Sequence, residues 1–154
     1  MNIVNFDQIE RFTVVFRALA DSFRLRLYRL VLRWPGLCIC DLTGISGKQQ
    51  YNVSRAMREL KLAGLVEERK EGRWSHLYPI PLPAELQFLE QMGNWSFDWM
   101  RADEERGNEW FTLKAAGKID LCPPLSSIAK RRISARRKNS KKSLPRGEPH
   151  APTT

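Results

Sequence analysis

No stretch of the 154-residue chain approaches the ~18 consecutive apolar residues that a membrane-crossing helix requires. The opening segment, MNIVNFDQIERF, has neither a basic n-region nor an apolar h-region, so no signal peptide is expected and the cytoplasm is the expected compartment. Cysteine is scarce. The three residues Cys38, Cys40 and Cys122 are an odd number at uneven spacing, which argues against a disulfide framework and for free thiols or thiolate ligands. Histidine is scarcer still, with His76 and His150 far apart. With no paired histidines, no Gly-rich phosphate loop and no clustered Ser, His and Asp, the chain does not read as an enzyme. Internal repeats are also absent.

Charge is abundant but uneven. The net charge is +9, yet nine of the 26 Lys and Arg residues and only one of the 17 acids lie from Lys130 onward. That segment carries +8 and residues 1–129 only +1, so any nucleic-acid role of the body rests on local placement of charge. Pro, Ser, Lys and Arg dominate the segment and little in it can be buried, so a disordered tail is expected over 130–154. The expected organisation is a folded domain over 1–106, a partly ordered extension over 107–129, and this tail.

Periodicity supplies the elements. Ile9, Phe12, Phe16 and Leu19 recur as the stripe of an amphipathic helix. Asp21 and Ser22 can cap a second helix, FRLRLYRLVLRW, with Leu25, Tyr28, Val31 and Leu32 inward and Arg24, Arg26, Arg29 and Arg33 interleaved, ending at Pro35 and Gly36. LCIC suits a short strand, after which Asp41 caps a short third helix closing at Gly47. Val53, Ala56, Met57 and Leu60 mark a fourth helix that stops at Gly64. LVEERK and RWSHLYPI around the turn EGR predict a two-stranded hairpin. A last helix is expected from Ala84, with Leu86, Leu89, Phe97 and Met100 on its apolar face, fading beyond Arg106.

The order α-α-β-α-α-β-β-α, mainly helical with a small β wing, is that of a winged helix-turn-helix. With Val53 inward, a period of 3.6 turns Tyr51, Arg55 and Arg58 outward, flanked by Asn52 and Ser54, with Gln49 and Gln50 at the N-terminal end. Arg can read guanine and Asn or Gln adenine, while hydroxyls and a helix N-terminus bond phosphate. On an isolated helix this face would pass for ordinary solvated surface; in a helix-turn-helix it is the face that enters the major groove of double-stranded DNA. Around Gly72, Arg69, Lys70 and Arg73 either reach flanking phosphates or form an ordinary charged hairpin tip.

Several pieces in one order, FRALADSFRLRLYRLVL, LCICDL and VSRAMRELKLAGLVEERKEGRW, resemble the ArsR/SmtB family of metal-responsive transcriptional repressors over roughly residues 11–80. The resemblance implies a homodimer built on the first helix and the helix after Ala84. It also implies an operator complex that needs no cofactor. Arsenic-responsive members bind their inducer through this same Cys-x-Cys-Asp-Leu segment, so the resemblance makes arsenite or antimonite the inducer and Cys38 and Cys40 its ligands. A third cysteine common in those members is Thr43 here, which leaves Cys122 as the remaining candidate thiol.

Read from the residues alone, the pair keeps three roles. If LCIC is extended, Cys38 and Cys40 point to one side and Ile39 to the core. A helix beginning at Cys40 would favour its thiolate. Soft thiolates select thiophilic ions, and two or three suit trivalent arsenic or antimony better than four-coordinate structural zinc. The same pair would serve a regulator that senses thiol oxidation, or one with no metalloid input in which both are small core residues.

Overall fold

The second helix is the hub of the fold. In the computed structural model, which describes residues 6–119, α2 (Ser22–Arg33) packs against α1 (Phe6–Leu19), α3 (Ile39–Ser46), α4 (Gln50–Leu62), strand β2 (Trp74–Pro79) and a 3₁₀ segment, Ala84–Asn94. Asp21 caps it by accepting the Arg24 N–H at 2.9 Å. Being surrounded, α2 buries Leu27 and Leu30 as well as Tyr28 and Val31, while Leu25 is only half-buried. Its core continues through Leu37, Leu42 and Ile45 to Val53, Met57 and Leu60 of α4 and Leu65. On α1 the buried residues are Val15, Ala18 and Leu19, whereas Ile9 and Phe16 of the predicted stripe stay 50% and 45% exposed.

Strand β1 (Val66–Glu71) pairs antiparallel with β2 from Val66 opposite Pro79 to Glu71 opposite Trp74. Gly72 turns the hairpin with φ +65°, a left-handed conformation that side chains with a Cβ rarely adopt. The strand expected at LCIC is not formed. Leu37 alone bridges to the sheet: the Leu77 N–H donates to the Leu37 carbonyl at 2.7 Å and the Gly36 N–H to the Leu77 carbonyl at 2.8 Å. His76, buried at the root of β2, adds a contact of 2.9 Å from Nδ1 to the Gly36 carbonyl oxygen. Helix wins over strand here because Cys38 and Asp41 satisfy each other's backbone N–H groups as a capping box. Asp41 is thus not the N-cap but the third helical residue.

The helix expected from Ala84 through Met100 is two pieces, with Trp95–Phe97 separating the 3₁₀ segment from α5 (Asp98–Ala115). α5 runs unbroken through Arg106. Its inner face is Met100, Asp103, Gly107, Trp110 and Lys114, a largely polar stripe at helical spacing. The interleaved arginines of α2 receive it: Arg26 grips Asp103 through two hydrogen bonds of 2.9 and 2.7 Å, and Arg29 and Arg33 hold Glu104 at 3.1 and 2.8 Å. Gly107 lets the Trp34 ring lie directly on the helix backbone, where any Cβ would overlap it. No described helix is long and apolar enough to cross a membrane.

Burial works to raise the Asp103 carboxyl, but the hydrogen bonds from Arg26 and Arg106 outweigh it and hold it below the ordinary carboxylate range. Burial opposes the same outcome at Glu104, where Arg33 and Arg29 prevail. Both groups bind protons less readily folded than unfolded. Their contribution is therefore complete above the unfolded value of about 4 and is lost as pH falls through the lower folded values. Acidification from pH 7 to pH 3 is expected to loosen α5 from α2, read as loss of near-ultraviolet dichroism from the tryptophans of α5. Asp103→Asn should flatten that profile; an unchanged profile would show that these pairs do not hold the helix.

Candidate DNA-binding face and thiol site

The short α3 ends at Gly47, whose N–H donates to the Thr43 carbonyl at 3.0 Å, and the chain turns through Lys48 and Gln49 into α4. Val53, Ala56, Met57 and Leu60 are buried, against the α2 and α3 side of the fold. That burial fixes the outer face. Gln49, Gln50, Tyr51, Asn52, Ser54, Arg55 and Arg58 are all exposed, Tyr51 at 71%. Gln49 occupies the N-cap with no side-chain cap bond, which leaves its amide and the first N–H groups of α4 open to an outside acceptor. Among the described residues neither Arg55 nor Arg58 has a side-chain hydrogen bond or ion pair, unlike Lys61, which bonds Glu68 of β1 at 2.6 Å. Fold stability gives no reason for two unpaired guanidiniums beside an exposed tyrosine.

The wing cations differ from one another. Arg69 pairs with Glu67 and stacks over the Tyr78 ring, 4.6 Å from its centroid. Lys70 and Arg73 are exposed on either side of the turn at Gly72, without an ion pair among the described residues.

The thiols lie where α3 begins. Cys38 is its N-cap, in extended backbone at φ −93° and ψ 169°, and its Sγ accepts the Asp41 N–H at 3.3 Å. The Cys38 N–H in turn donates to Asp41 Oδ2 at 3.1 Å. Cys38 is buried; Cys40, the second helical residue, is half-buried. Cys38 thus stands just outside the helix and Cys40 within its first turn, so the two are not alternate positions of one strand as an extended LCIC would make them. Thr43 shares the face of Cys40, but its hydroxyl donates to the Ile39 carbonyl at 2.8 Å. Among the described residues no three His, Cys, Asp or Glu side chains are grouped to hold a metal ion. Cys122 lies outside the described residues.

Two residues at this site escape a reading of the sequence. Trp110 Nε1 and Lys114 Nζ both donate to Asp41 Oδ1, at 2.9 and 2.7 Å, so the end of α5 meets the start of α3. The Cys38-x-x-Asp41 spacing was the one available signal, since it has the form of a capping box; nothing in the sequence pairs position 41 with 114.

No family model matches the chain. Among curated proteins, the arsenic resistance transcriptional regulator ArsR1 of Pseudomonas putida is 38% identical over 61 residues, covering 40% of this chain and 48% of that protein. An uncharacterized HTH-type transcriptional regulator of Methanocaldococcus jannaschii is 32% identical over 72 residues, 47% of this chain and 81% of that protein. A transcriptional repressor SmtB homolog of Synechocystis sp. is 37% identical over 71 residues, 46% of this chain and 53% of that one. The matches to the first and third span about half the length of those relatives.

Proposed function

Because the chain belongs with the HTH-type transcriptional regulators and is similar over part of its length to regulators named ArsR and SmtB, we propose that it is an ArsR/SmtB-type homodimeric repressor, working in the cytoplasm, that holds double-stranded operator DNA when ligand-free and releases it when trivalent arsenic or antimony binds Cys38 and Cys40. The observation that carries this reading is the position of the thiols at the start of the helix that supports α4. Two soft sulfurs can close on one thiophilic ion only from the same side. Cys38 Sγ is already engaged as the N-cap acceptor of the Asp41 N–H, so an ion that takes this sulfur draws it away from the first turn of α3 and disturbs the support of the DNA-reading helix. Coupling of this kind is reciprocal: operator DNA weakens inducer binding by the same factor, typically about 5 to 150-fold.

The unpaired Arg55 and Arg58, with Gln49, Gln50, Tyr51, Asn52 and Ser54, support base and phosphate contacts in the major groove, and Arg69, Lys70 and Arg73 support contacts to flanking phosphates. The exposed Ile9 and Phe16 on α1, together with Phe97 and Trp99 beside and within α5, support a dimer interface. Cys122 is the candidate third sulfur. It follows Lys114 by eight residues, a reach of at most about 29 Å, and Lys114 is itself bonded to the helix that carries Cys40.

A labelled promoter duplex in complex with the full chain, titrated with arsenite under reducing conditions, tests the switch. Fluorescence anisotropy should fall to that of free DNA. A complex that survives saturating arsenite would remove the sensing half of the proposal while leaving the DNA-binding half in place.

A further inference from the structure

The Asp41 carboxylate serves two structures at once. Its Oδ2 accepts the Cys38 N–H and so closes the first turn of α3, while its Oδ1 accepts both Trp110 Nε1 and Lys114 Nζ from α5. The ion pair is deeply buried, with side-chain exposures of 2% for Asp41 and 6% for Lys114. Taking both charges from water offsets much of their attraction, and an apolar pair of similar volume would hold the two helices about as well. What an apolar pair lacks is dependence on one position of the carboxylate. Trp110 adds shape to that dependence: its ring lies against Gly44, where any Cβ would overlap it, and Gly44 is one turn from Cys40 on the same face of α3. The end of α5 therefore covers the side of α3 on which Cys40 stands.

Bringing Cys38 Sγ and Cys40 Sγ to one ion separates Cys38 from the Asp41 N–H and breaks the capping box. The carboxylate then no longer holds the position in which Lys114 and Trp110 meet it. We infer that Trp110 and Lys114 form a latch on the sensor helix, closed when the thiols are empty and opened by a thiophilic ligand, so that α5 is a second output of sensing beside α4. The inference rests on the thiol-sensing reading above. It makes Asp41, Trp110 and Lys114 positioning residues that set the inducer concentration at which the switch acts, without touching inducer or DNA.

Arsenite binding to the full chain without DNA, measured by equilibrium dialysis under reducing conditions, tests the latch in the parent, in Lys114→Met and in Trp110→Phe, which removes the hydrogen bond to Asp41 and the indole's contact on Gly44. Both variants should bind arsenite more tightly, Lys114→Met by about 5-fold or more. In the parent, arsenite should speed amide hydrogen exchange across residues 111–118 by roughly tenfold, a change that a purely structural contact would not show. Arsenite bound with equal affinity by all three proteins, and with exchange at the end of α5 unaltered, would remove the latch and leave the thiol site standing. A parent that takes up no arsenite would remove the thiol site and the latch with it.

Discussion

Cys38→Ser and Cys40→Ser are each expected to keep the operator complex and to abolish its release by arsenite. The geometry makes Cys38→Ser an unusually clean substitution. Cys38 is the N-cap of α3 and its Sγ accepts the Asp41 N–H; serine is among the preferred residues at an N-cap and its hydroxyl accepts that bond at least as well. The helix therefore keeps its start, and the property lost is the softness that a thiophilic ion requires. Cys40 is half-buried and takes no part in the cap, so serine there costs little packing. Each variant would be titrated with arsenite against a preformed complex, with thermal unfolding recorded alongside. Undiminished release in both would end the metalloid reading of this segment and return the pair to small core residues. Cys122→Ser is the companion: blocked release makes it a third ligand, and a raised arsenite requirement makes two thiols sufficient.

The second large effect belongs to α4. Arg55→Ala and Arg58→Ala should each weaken operator affinity by about 1 to 3 kcal/mol if the guanidinium reads a base, and relax discrimination at the position it reads. Neither side chain has a partner among the described residues, so truncation removes nothing that the fold uses. Thermal stability should accordingly stay close to the parent's. Lys70→Ala in the wing provides the contrast, weakening all duplexes alike and lowering the salt slope, as loss of a phosphate contact does. Parental binding of the operator by both Arg variants would mean that the outer face of α4 does not meet the groove.

Much of this architecture could be read from residues that repeat in register. Val53, Ala56, Met57 and Leu60 mark α4 because its inner face is apolar and its neighbours are not, and the hairpin announces itself through EGR. α5 resisted the same reading for a physical reason. Its inner face carries Asp103, Gly107 and Lys114, which look like solvent positions until Arg26, Trp34 and Asp41 are seen opposite them. The α2 arginines hid the other half of that information, because charges between leucines look like a solvated face. At the thiol site the apolar run LCIC reads as a strand, and the local bonds of Cys38 with Asp41 override it. Exposure of Ile9 and Phe16 was equally hidden, since an amphipathic stripe does not say which apolar surface will cover it.

The bonds that fasten Gly36 and Leu37 to β2 have a mechanical consequence. Three of them, from Gly36 N–H, Leu77 N–H and His76 Nδ1, join the residues just before Cys38 to the root of the wing. The strand then runs five residues from Leu77 to the turn at Gly72, a lever arm of roughly 17 Å at about 3.3 Å per residue. Tilting the root by about 5° displaces the tip by about 1.5 Å, more than the roughly 0.5 Å range over which a hydrogen bond keeps its length. A rigid hairpin fastened at Gly36 and Leu37, the residues immediately before Cys38, would carry a tilt too small to disturb the core to Lys70 and Arg73 as a larger displacement.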